Sequence, residues 1–106
     1  MRIIAGTHKG RKINPSNNLT VRPTTDRAKE ALFNIINSRY LFRKKNMLDL
    51  FAGTGNITFE FTSRGIEKAI AVDNNINCIE FINTTSKSFN LNISAVQSDG
   101  LKYAQN

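Results

Sequence analysis

The stretch LDLFAGTGN at 48–56 constrains the fold more than any other part of the chain. An apolar run ends in two glycines one residue apart, the pattern of a buried strand leading straight into a very tight turn. Gly53 and Gly55 permit backbone dihedrals and a closeness of approach that a Cβ would block. Two more short apolar runs follow, KAIAV at 68–72 and ISAV at 93–96. Like 47–51, they are apolar almost throughout, as expected of parallel strands covered on both faces. Between the last two, Ile76, Ile79, Ile82 and Phe89 fall roughly in helical register over 75–90. Residues 57–65, ITFEFTSRG, are ambiguous, because the alternation of Ile57, Phe59 and Phe61 also fits a strand. A parallel neighbour needs a crossover, however, which favours a helix here with Gly65 as its C-cap. The order β–α–β–α–β is the first half of a doubly wound α/β sheet.

Ahead of the glycine turn the chain has a different character. Residues 2–6 and 11–14 read as short extended pieces of a hairpin with Gly10 at its end, and 15–23 as a loop with prolines near both ends. A helix follows Pro23, with Thr24, Thr25 or Asp26 as its cap. Ala28, Ala31, Leu32, Ile35 and Ile36 supply an i, i+3, i+4, i+7, i+8 stripe as its expected buried face. Residues 1–45 hold eleven Lys/Arg against Asp26 and Glu30, a net +9, while 46–106 hold four against six, a net −2. The segregation suggests a basic N-terminal segment, 1–45, and a Rossmann-like domain, 46–106. A field of that sign attracts polyphosphate backbones, and a merely solvated basic face is the alternative.

The bulk composition excludes other classes. A mean hydropathy of −0.34, with no long apolar run, leaves nothing to span a membrane. The brief apolar stretch 3–5 lies between basic residues and is not a signal peptide. One cysteine, Cys78, allows no internal disulfide and no cysteine-based metal cluster, and its apolar helical setting points to core packing. A cytoplasmic, metal-free protein is the expectation.

Asp73 ends the second strand twenty residues after Gly53, where a carboxylate can accept both hydroxyls of a ribose. A dinucleotide fingerprint wants a third glycine where this chain has Thr58, and no Gly-Lys-Ser/Thr exists, so neither a pyrophosphate site nor a P-loop is indicated. Asp49 inside the first strand would repel phosphate and welcome a cation. S-adenosylmethionine carries an ammonium and a sulfonium and no phosphate. A carboxylate that only braces the loop remains the alternative for Asp49.

RPTTDRAKEALFNII (22–36), LDLFAGTGN (48–56), SRG (63–65), AVD (71–73) and SDGLKY (98–103), with the opening MRIIAGTHKGRKI, together resemble the bacterial small-subunit (16S) rRNA guanine-N2 methyltransferases. The resemblance runs the length of the chain and implies a Rossmann-like, S-adenosylmethionine-dependent fold preceded by a basic hairpin and helix. It implies that Asp49, Phe51, Gly53 and Gly55 form the cofactor loop and that Asp73, with Asn74 beside it, holds the ribose. Asp99 would read the adenine amino group, although an Asp before Gly also suits a helix N-cap. Arg22, Thr24 and Thr25 match the segment over the cofactor. Arg2, Lys9, Arg11 and Lys12 match the part that grips rRNA, so the partner is small-subunit rRNA or the assembling subunit.

The resemblance stops short of the chemistry. The family's Asn/Asp-Pro-Pro-aromatic motif, on a fourth strand, is not among these residues, whose two prolines, Pro15 and Pro23, are not adjacent. An exocyclic guanine amine is a poor nucleophile, and that motif is expected to orient it and help remove its proton. The expectation is therefore a fragment without turnover of its own, no catalytic residue in hand, and an exposed first strand open to self-association or a partner chain. Phe61 and Thr62, where the family has a small and then a large apolar residue, suggest relaxed packing. A catalytically dead RNA-binding module is the alternative function, and an NAD-linked enzyme fits less well because of Thr58 and Asp49.

Overall fold

The computed structural model of the protein describes residues 2–15, 25–37 and 42–105. Its elements run α1 (Asp26–Asn37), β1 (Asn46–Asp49), α2 (Asn56–Ser63), β2 (Lys68–Asp73), α3 (Ile76–Phe89), β3 (Ile93–Gln97) and α4 (Gly100–Gln105). The three strands form one parallel sheet in the order β1-β2-β3, with Leu48 opposite Ile70 and Ala71 opposite Ala95. This is the first half of a Rossmann-like sheet, with both connections made by helices. The ambiguous segment after the turn is helix, α2, ending at Ser63; its C-cap is Arg64 rather than the expected Gly65, which follows at a φ of 121°. No described helix is long and apolar enough to cross a membrane.

Helix α3 shows how local chemistry sets its ends. Asn75 accepts from the Asn77 amide at the start, and Asn90 closes the last turn in a left-handed conformation. Of its buried apolar residues, Cys78, Ile79, Ile82 and Phe89, the last two join a core made with Phe59 of α2, Ala69 and Ala71 of β2, and Ile93 of β3. Ile3 and Ile13 of the N-terminal segment are buried in that same core.

Residues 2–13 turn back on themselves as expected, but with little ladder. Arg2 and Lys12 form an isolated antiparallel bridge, the Ile3 amide donates to the Arg11 carbonyl at 2.9 Å, and the Gly10 amide to the Ile3 carbonyl at 2.8 Å. The hairpin is held instead by the domain beneath it. At its turn the Thr7 amide donates to the Ser63 carbonyl at 2.8 Å and His8 Nε2 to the Phe89 carbonyl at 2.6 Å.

Three expectations need correction. The apolar stripe of α1 does not face inward: Ala28 and Ala31 are exposed, as are Leu32 (41%) and Ile35 (60%). The buried face is Lys29, Phe33 and half-buried Ile36, because Lys29 is drawn to an internal carboxylate and Phe33 enters an aromatic cluster. Relaxed packing around Phe61 and Thr62 is also absent. Phe61 stacks edge-on against Phe33 with centroids 4.4 Å apart, and the buried Thr62 hydroxyl lies 3.0 Å from the carbonyls of Thr58 and Phe59. Finally, β1 is not covered on both faces, since Leu48 is 49% exposed; its edge position, shared with β3 in the described sheet, is the one expected.

Candidate functional site: the carboxyl edge of the sheet

Parallel strands put their carboxyl ends on one edge, and the three candidate carboxylates stand there: Asp49 ends β1, Asp73 ends β2, and Asp99 follows β3. Between β1 and α2 the chain turns through Gly53 and Gly55, both at positive φ (55° and 85°). A Cβ on Gly55 would come within 3.0 Å of Ile82 and Phe59, so the turn sits directly on the core.

Hydrogen bonds fix the turn from both sides. Asp73 Oδ2 accepts from the Gly53 amide at 2.8 Å and Oδ1 from the Asn75 amide at 2.9 Å. The same carboxylate thereby holds the glycine turn and the start of α3. Asp49 accepts from the Phe51 amide at 3.2 Å and from the Thr58 hydroxyl at 2.9 Å. Asp49 is therefore a brace in this structure, and Thr58, standing where a third glycine is absent, is its partner. Asp99 Oδ1 accepts from the amides of Leu101 and Lys102 at 2.9 and 3.2 Å, which is the N-cap arrangement at α4. Phe51 is 70% exposed and lies over Gly100, while Asn74 is exposed just beyond Asp73.

The remaining candidates divide. Arg22 and Thr24 lie outside the described residues. Thr25 is exposed, and its hydroxyl accepts from the Ala28 amide at 3.2 Å, capping α1. Among the basic residues, Arg2 pairs with Asp26 at 3.0 Å and the Arg11 guanidinium sits 4.8 Å above the Phe89 ring. Lys9 and Lys12 are exposed. The hairpin bonds α2 at Glu60 and Ser63, its turn docked on Ser63 at the end of the helix away from the glycine turn.

Sequence reasoning missed the group that joins hairpin to domain. Glu60 of α2 and Lys29 of α1 are fully buried side chains paired at 3.0 Å. Glu60 also accepts from Arg64 Nε at 2.7 Å, from the Ile4 amide at 2.8 Å and from the Ala5 amide at 3.0 Å. Four donors on two oxygens fill the carboxylate's acceptor capacity. Burial pushes its pKa up, but the Ile4 amide, Arg64 and Lys29 outweigh that and leave it lowered. Lys29 Nζ in turn donates to the Arg2 carbonyl at 2.7 Å and to Asn56 Oδ1 at 2.8 Å. The available signal was one acid inside the apolar ITFEF run. Cys78, by contrast, is inert core: burial, with the nearby Asp73 charge, raises its thiol pKa.

Comparison with known proteins agrees with this arrangement. The family model described as Conserved hypothetical protein 95 matches residues 1–106. A Bacillus subtilis protein provisionally named rRNA methyltransferase YlbH is 40% identical over 91 residues, covering 86% of this chain and 48% of its own length. Ribosomal RNA small subunit methyltransferase D of Haemophilus influenzae is 46% identical over 68 residues, covering 64% of this chain and 34% of its own. The chain thus spans about half the length of such relatives, or less. Among solved structures, the Escherichia coli protein yhhF, provisionally called a methyltransferase, superposes with a TM-score of 0.84 at 27% identity over 97% of this chain and 55% of that one. A shared glycine turn alone would not align the hairpin, α1 and the sheet together in this way. The chain belongs to the Conserved hypothetical protein 95 family, whose relatives found here include named small-subunit rRNA methyltransferases.

Proposed function

We propose that these residues form the cofactor-binding and RNA-gripping part of an S-adenosylmethionine-dependent rRNA methyltransferase that modifies the N2 amine of a guanine in small-subunit rRNA. The observation that carries this reading is Asp73. Its carboxylate stands at the carboxyl edge of β2, oriented by the Gly53 and Asn75 amides, with lone pairs left to accept from a ribose. Asp49 and Asp99 on the same edge suit a ligand with positive charge and no phosphate, which fits S-adenosylmethionine. When bound, that group supplies an electrophilic methyl on a sulfonium. Asp73 would hold the ribose, and the Asp49–Thr58 bond would keep the turn in shape. The hairpin's basic residues would hold the RNA backbone, which sets the work in the cytoplasm.

A motif to orient the guanine amine is not among these 106 residues, so the chain alone is expected to bind cofactor without transferring methyl groups. Calorimetry with S-adenosylhomocysteine tests the reading. Binding is expected, and Asp73→Ala should weaken it by roughly 1.5–3 kcal/mol, about ten- to a hundredfold. An absence of binding to the unaltered chain overturns the proposal in favour of a module that only binds RNA.

A further inference from the structure

We propose that Lys29 is a positioning residue that couples the cofactor turn to the RNA-gripping hairpin, so that a ligand on either side tightens binding on the other. The inference rests on the functional reading above. An ammonium has three protons, and this one, with no exposed surface, meets three acceptors at 2.7, 2.8 and 3.0 Å. The acceptors lie on the two parts to be coupled, one in the hairpin and two on helix α2, the first of these next to the glycine turn. The Arg2 carbonyl lies in the hairpin, on the residue bridged to Lys12. Asn56 directly follows Gly55 and opens α2. Glu60 anchors the amides of Ile4 and Ala5 as well as Lys29.

No water is needed to complete this set, and a buried ammonium that loses one acceptor has no solvent to turn to. Displacing Arg2 therefore disturbs the same nitrogen that orients Asn56, and displacing the turn disturbs the hairpin. A ligand that fixes one side leaves less ordering for the second ligand to impose, which makes the coupling positive. It must also be reciprocal, the same factor being read from either ligand.

The test uses the whole chain with S-adenosylhomocysteine and a short fluorescently labelled RNA hairpin. RNA affinity is measured by anisotropy with and without the nucleoside, and nucleoside affinity by calorimetry with and without RNA. In the unaltered chain each should tighten the other by the same factor, on the order of 5- to 50-fold. Lys29→Met should bring that factor to about 1. Asn56→Ala, which cuts the turn from Lys29 but keeps the Lys29–Glu60 pair, should lower it too, and decides the matter should Lys29→Met fail to fold. A factor of 1 in the unaltered chain, or an unchanged factor in folded variants, overturns the coupling and leaves the functional reading standing. If the unaltered chain binds no S-adenosylhomocysteine, the functional reading falls and the coupling with it.

Discussion

Glu60 shows what a single carboxylate does when it is withdrawn from water into a ring of donors. Leaving a buried partner charge uncompensated is far more costly than losing a surface ion pair. Glu60→Gln places an amide where Arg64 or the Ala5 amide donates, and should destabilise the chain by about 3 kcal/mol in urea denaturation. The pH dependence has a definite sign. Because the folded pKa is lowered, the contribution of Glu60 is complete above its ordinary value of 4.5 and is lost as pH falls through the lower folded value. Stability of the unaltered chain should drop on acidification below that value, and the Gln variant should show a shallower drop. Parallel curves for the two proteins would show that Glu60 is not the responsible group. None of this was visible in the spacing of residues. Lys29 reads as a solvent-facing position, and its partner is 31 residues away.

Helix α2 is eight residues long and serves two neighbours, with the glycine turn at its start and the hairpin at its end. Gly6 is where the second contact is closest. It has a φ of 91°, and an added Cβ would lie 1.9 Å from the Ser63 carbonyl oxygen. Neither term can relax while the Thr7 amide, the His8 amide and the Ala5 carbonyl stay bonded to Ser63. Gly6→Ala should therefore cost about 3 kcal/mol, combining backbone strain with overpacking, and should expose the amides of Ile4 and Ala5 to hydrogen exchange. Unchanged protection at those amides would refute the docking argument. The succession of strands and crossovers was legible because parallel strands packed under helices leave short apolar runs in the order of the residues. The orientation of α1 was not, since a stripe of Ala, Leu and Ile signals a buried face only when no internal ion competes for it. Thr58 misled less: its hydroxyl, which a glycine would not have, is what bonds Asp49.

Across the whole molecule, charge is divided more sharply than structure. The first 45 residues carry a net +9, yet several of those charges already have partners within the fold. Arg2 pairs with Asp26, Arg11 lies on Phe89, and Lys29 is buried, whereas Lys9 and Lys12 are exposed. RNA affinity should fall steeply with salt, and replacing Lys9 and Lys12 together by Ala should flatten the log–log slope by about 1.5. Arg2→Ala should flatten it less, because that change also frees Asp26. A slope unaltered by the lysine pair would remove them from the RNA surface. The carboxyl edge of the sheet was readable from the glycine turn and Asp73, but the distribution of unpaired cations was not, because pairing is a three-dimensional property.

The docking of the hairpin also sets an order of assembly. Its amides wait for Glu60 at separations of 55 and 56 residues, and His8 waits for Phe89 at 81. Contacts of that span close late and slowly, and during synthesis the first two cannot close until α2 has emerged, nor the third until α3 has. Within this chain the hairpin is made before the helices that seat it.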